Sequence, residues 1–141
     1  MNERQIIRRL ARRVRTYLRA FRETVGVFYE DMAGACAIGS MILYRILRSI
    51  GLPAKFVVGW WARGCHRSPH AWLELDGEII DVTATQFGYR TAVLFTDAED
   101  ECYERWRRGP AAIRQVNTWT KGQSPREHSS FIDAAVSVAL A

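Results

Sequence analysis

The sequence predicts an α+β fold in which a helix bearing Cys36 packs on an antiparallel sheet bearing His70 and Asp81. Three observations carry this. The stretch DMAGACAIGSMILYRILRSIGLP repeats apolar residues at helical spacing and ends in Gly51 and Pro53, a left-handed cap followed by a residue that cannot continue a helix. KFVVGWW is a short β-prone run. HAWLELDGEIIDVT alternates along two strands joined by Asp76-Gly77, a pair that supplies the positive φ angles of a two-residue hairpin turn.

At 141 residues the chain has the length of one domain, 1–141, with enough apolar material (48%) to build a core without staples. No apolar run is long enough to span a bilayer, and MNERQIIRRLARR lacks the continuous apolar stretch of a signal peptide. The three cysteines, Cys36, Cys65 and Cys102, are an odd set without a CxxC pair, which fits a reduced, cytoplasmic protein. A metal site on Cys65, His66 and His70 lacks a fourth ligand at conventional spacing, so no metal and no cofactor is expected.

The elements follow in order. Residues 1–25 form a basic amphipathic helix: Ile6, Ile7, Leu10, Val14, Tyr17, Leu18 and Phe21 recur at steps of three and four. Eight arginines fill most of the remaining positions (Arg4, Arg8, Arg9, Arg12, Arg13, Arg15, Arg19 and Arg22), giving residues 1–24 a charge of +6 within a chain of +5. The rest of the chain is therefore nearly neutral. A wide apolar stripe favours a helix docked on the core with a solvated outer face; the competing reading is a handle for an acidic partner, nucleic acid or an anionic membrane surface. The Cys36 helix is apolar on too many sides for a surface position and is expected to be central. A strand over Lys55–Trp61, a loop at RGCHRSP, the hairpin, and a short strand near Thr91–Phe95 follow. Thr96 to Glu99 has the pattern of a capping box for a helix ending at Gly109-Pro110; Cys102 falls in that helix as a packing residue. A strand over Ile113–Trp119, a loop, and a modest terminal helix in FIDAAVSVALA complete the chain.

The hairpin turn fixes a register in which Leu75 faces Glu78 and Trp72 faces Asp81. Side chains alternate along a strand, so His70, Trp72, Glu74, Ile79, Asp81 and Thr83 share one face, and Leu73, Leu75, Ile80 and Val82 the other. His70 and Asp81 become diagonal neighbours, about 7 Å apart along the backbone, within reach of an imidazole and a carboxylate. A slip of one residue would separate them. Cys36, at a helix start, feels the positive end of the helix dipole, which favours thiolate. Unsatisfied N–H groups of the first turn could hold an oxyanion. Cys, His and Asp are thus a nucleophile, a base and an orienting carboxylate.

From Gly34 to Gln86 the chain resembles the transglutaminase-like branch of the papain-like cysteine enzymes: GACAIGSMILYRILRSIGLPAKFVVGWW, then PHAWLELDGEIIDVTATQF. It is also similar to the leader peptidases that mature lasso peptides, in size and in the His-Ala-Trp strand. The resemblance implies a papain/transglutaminase-like core, with Cys36 as nucleophile, His70 as base and Asp81 as orienter. Tyr29, Trp61, Trp72 and Gln86 are candidates for a side-chain oxyanion donor, and Trp61, Trp72 and Gln86 for substrate contact. The expected chemistry is attack on a peptide or glutamine carboxamide carbonyl through a thioester, as a peptidase or deamidase. Transglutaminase-type cross-linking is one alternative, and a non-catalytic module holding an acidic partner or nucleic acid on the Arg-rich helix is another.

Overall fold

The computed structural model describes residues 1–20, 36–63, 66–87, 91, 93–103 and 129–141, with backbone alone at 36, 60–63, 66–69, 86, 87 and 129. Helix α1 spans Glu3–Ala20. Asn2 and Gln5 cap it reciprocally: Gln5 N–H donates to Asn2 Oδ1 at 2.9 Å, and Asn2 N–H donates to Gln5 Oε1 at 3.0 Å. Its buried face is Ile7, Leu10, Ala11, Val14, Arg15 and Leu18. The docked-helix expectation therefore holds along 3–20; Phe21 and Arg22 lie outside the described residues.

Helix α2, Cys36–Ser49, is the centre of the molecule, meeting α1, the C-terminal helix α3 (Ser129–Leu140) and the sheet. Ile42, Leu43, Ile46 and Leu47 are fully buried. It ends as expected on Gly51, at φ +87°. Leu52 N–H donates to Leu47 O and Gly51 N–H to Arg48 O, the paired bonds of a Schellman cap.

The sheet has four antiparallel strands in the order β1-β2-β3-β4: β1 Lys55–Arg63, β2 His66–Leu75, β3 Glu78–Asp81 and β4 Leu94–Asp97. Three expectations are corrected here. The segment read as the loop RGCHRSP is largely strand, because β1 and β2 stay paired out to Arg63↔His66; Gly64 and Cys65 lie outside the described residues. The fourth strand runs three residues later than Thr91, and Thr96 belongs to it, paired with Ile79. The turn beyond β4 is capped by aspartates instead: Asp97 Oδ1 accepts from Glu99 N–H at 2.7 Å, and Asp100 Oδ1 from Cys102 N–H at 2.9 Å. Cys102 is exposed, not packed. The strand read at Ile113–Trp119 and the end of the helix at Gly109-Pro110 lie outside the described residues.

The hairpin register is as expected, with Leu75↔Glu78 and Leu73↔Ile80 paired. Asp76 and Gly77 take φ of 51° and 75°, the left-handed pair that this turn requires. One face of the sheet, with Phe56, Val58, Ala71, Leu73, Leu75, Ile80 and Val82, joins the three helices in the main core. The other face gathers Val57, Trp72, Ile79 and Tyr103 in a second, smaller cluster.

Candidate active site

The site is built on the smaller face, at the end of β3. Asp81 is its last residue and is wholly buried, as is His70. His70 Nε2–H donates to Asp81 Oδ2 at 2.5 Å, closing the diagonal that the register sets up. Three further donors complete the carboxylate. Thr83 N–H and Thr83 Oγ1–H reach Oδ1 at 2.8 and 3.2 Å, and Tyr103 Oη–H reaches Oδ2 at 2.6 Å. A buried carboxylate is tolerated only when its oxygens are satisfied in this way.

The electrostatics follow from the same contacts. Burial alone pushes the Asp81 carboxyl up; the charge and hydrogen bond of His70, with the Tyr103 and Thr83 bonds, outweigh it and hold the group below the usual carboxylate range. Asp81 is therefore an anion that fixes the imidazole through Nε2.

Aromatic rings hold this pair from the side. Trp72 stacks on His70 with centroids 5.8 Å apart, and Tyr103 packs edge-on against Trp72 at 5.2 Å. Trp72 is fully buried, and its Nε1–H donates to Glu74 Oε1 at 3.2 Å. Trp72 thus forms a wall beside the imidazole. The side chains of Trp61 and Gln86, and all of Tyr29 and Cys65, lie outside the described residues.

Cys36 is the first residue of α2, and its side chain likewise lies outside the described residues. The helix it opens is locked tightly to the strands that carry His70 and Asp81. Three residues on, a Cβ at Gly39 would meet Val82 Cγ2 at 3.1 Å and Leu18 Cδ1 at 3.2 Å. Ser40 Oγ–H donates to Ala71 O at 3.2 Å. Val82 follows Asp81 in sequence and Ala71 follows His70, so the first turn of α2 is anchored beside both. α2 packs on the sheet face opposite the cluster that holds Trp72, and β3 ends at Asp81.

Two site residues escaped the sequence reading. Tyr103 lies 22 residues from Asp81, with no local pattern to connect them. Arg15 belongs to the basic helix yet is buried, donating from Nη1 to Val82 O at 2.5 Å and from Nη2 to Thr85 Oγ1 at 3.5 Å. It ties α1 to the turn that follows Asp81. Burial pulls its pKa down, the charge of Arg19 adds to this, and Asp81 opposes it. A signal for Arg15 existed: it lies four residues after Ala11 and three before Leu18, within the apolar stripe.

The family model of the transglutaminase-like superfamily matches residues 1–93, which span α1, α2 and the hairpin with His70 and Asp81. No curated protein and no solved structure matches the chain. A helix opening on a cysteine, a sheet of α+β type and a match over about two thirds of the sequence agree with one another, and the chain belongs to the transglutaminase-like superfamily.

Proposed function

We propose that the chain is a cysteine-dependent hydrolase of peptide or carboxamide bonds, a peptidase or deamidase acting through Cys36, His70 and Asp81. The observation that supports this most is the buried His70–Asp81 pair, whose carboxylate accepts four hydrogen bonds beside the anchored first turn of α2. Structural stability alone rarely calls for a buried, fully satisfied His–Asp pair, because an apolar pair of equal volume is as good or better.

In this reading the Cys36 thiolate attacks the carbonyl carbon, and N–H groups of the first turn of α2 receive the developing oxyanion. The C–N bond breaks as imidazolium Nδ1–H gives its proton to the leaving amine or ammonia, leaving a thioester. Water then attacks the thioester, His70 takes a proton from it, and the C–S bond breaks to release acid and thiolate. Asp81 keeps the imidazole oriented throughout. Water is favoured as the second nucleophile because excluding it requires a shielded tunnel.

The test is turnover of a peptide library in H₂¹⁸O with a labelled primary amine present. Cys36-dependent products carrying ¹⁸O in the new carboxyl group are expected. Amine incorporation outrunning ¹⁸O uptake would make the enzyme a transferase, and turnover that persists in Cys36→Ala would remove the mechanism.

A further inference from the structure

We infer that the groove between α1 and α3 is a docking site for an acidic, amphipathic helical segment of a partner protein. The structure divides the arginines of α1 into two groups. One group is consumed by the fold. Arg4 pairs with Glu78 and lies over the Phe95 ring beside Arg8; Arg13 donates to Ala139 O at 2.7 Å; Arg15 is buried behind Val82. The other group projects outward. Arg9 and Arg12 are exposed and have no ion pair among the described residues.

Arg9 and Arg12 line a groove of about 960 Å³ that runs along α1 from Met1 to Ala20, with Val138 of α3 on its other wall. Its described lining holds four arginines and no carboxylate. Apolar surface lies among these charges: Met1 and Val138 are 78% and 57% exposed, and Tyr17, half-buried on Phe131 at 5.1 Å, forms part of the floor. The 18 residues of α1 give the groove a length of about 27 Å, enough for several turns of a second helix. Carboxylates flanking an apolar stripe on that helix would match the arginines and the apolar floor together.

The alternatives fit less well. A membrane-surface helix needs an apolar face to insert, whereas the apolar face of α1 is spent on the protein's own core through Ile7, Leu10, Ala11, Val14 and Leu18. Nucleic acid binds through many phosphate contacts; of the four arginines in the groove, Arg8 lies over Phe95 and Arg13 is bonded to Ala139 O, which leaves few for phosphates, and the chain outside residues 1–24 carries no net positive charge.

The inference does not depend on the hydrolase reading, and its test uses the full chain with Cys36→Ala, so binding is measured without chemistry. The probe is a fluorescein-labelled helical peptide with leucines at i, i+3, i+4 and i+7 flanked by glutamates. Anisotropy is compared with a lysine-for-glutamate version, a 20-nucleotide single-stranded DNA and phosphatidylcholine vesicles containing phosphatidylserine. Saturable binding of the glutamate peptide alone is expected, weakened about tenfold or more by Arg9→Glu with Arg12→Glu and also by Val138→Glu. These positions are exposed, and an unchanged thermal melt checks that the fold survives. The inference is overturned if the glutamate peptide does not bind, if the variants bind it equally well, or if DNA or vesicles bind more tightly.

Discussion

On one face of the sheet Phe56, Val58, Leu73, Ile80 and Val82 meet three helices; on the other, Val57, Trp72 and Ile79 surround a His–Asp pair capped by Tyr103. The same strands build both, since neighbouring residues point to opposite sides. The helix-covered face is aliphatic and its role is cohesion. The second face is small, aromatic and polar, and its hydrogen bonds converge on one carboxylate. Perturbing the two faces should therefore give separable effects, on stability from the first and on chemistry from the second.

The largest separation is expected between Asp81→Asn and Leu73→Ala. With the orienting charge gone, kcat for Asp81→Asn should fall roughly a thousand- to ten-thousandfold, as for other triads that lose their carboxylate. Leu73→Ala, on the opposite face of the same hairpin, should cost about 2–5 kcal/mol in urea unfolding while kcat per folded molecule stays within a few fold. If Leu73→Ala lost activity as steeply as Asp81→Asn, the two faces would not be separate in function.

Arg15 bridges them. Arg15→Met removes the donors to Val82 O and Thr85 Oγ1 and leaves a buried carbonyl unsatisfied, at a cost of about 1–3 kcal/mol. Because Val82 follows Asp81, a loss of kcat beyond the loss of folded protein should accompany it, and Arg15→Lys should recover part of both. A stability loss without any kinetic effect would confine Arg15 to the helical face.

Tyr103→Phe is a milder change on the chemical face. It deletes one of four bonds to Asp81, a bond to a charged group and so about 1.5–3 kcal/mol, and should lower kcat by about tenfold. It also sharpens the pH dependence. The folded-state pKa of Asp81 is depressed, so its contribution to stability is fully present above the unfolded carboxylate value of about 3.9 and is lost as pH falls through the folded value. Unfolding free energies measured downward from about pH 5 should therefore show an acid-side loss that shrinks in Tyr103→Phe and is absent in Asp81→Asn. Equal acid sensitivity in all three proteins would mean that the buried pair contributes nothing to it.

The helical face and the hairpin register were legible in the sequence because both depend on local chemistry. Gly51 stops α2, Asp76-Gly77 turns the hairpin, and alternation then assigns every residue from His70 to Thr83 to a face. What escaped was set by contacts distant in sequence. Tyr103 finds Asp81 only once β4 has paired with β3 and carried the chain back across the sheet. Arg15 looked like one more surface charge, although its position on the helical wheel lay among buried residues. The capping reading at Thr96 failed because strand pairing with Ile79 outweighed a local cap, and Asp97 and Asp100 took over that role. The burial of Trp72 between His70 and Tyr103 was not legible either, because Tyr103 arrives from a distant part of the chain.

The central claim is that the Cys36 thiol works with the His70–Asp81 pair, and its most direct test is the pH dependence of alkylation. Iodoacetamide labelling between about pH 5 and pH 9, read by peptide mass spectrometry, follows Cys36 beside the exposed Cys102 in the same molecule. Cys102, a free and exposed thiol, is the internal reference. Cys36 should already react at about pH 6, as a thiolate stabilised by a helix N-terminus and an imidazolium does, and should lose that advantage in His70→Ala. A Cys36 rate that follows Cys102 across the whole range, unchanged by His70→Ala, would contradict the account.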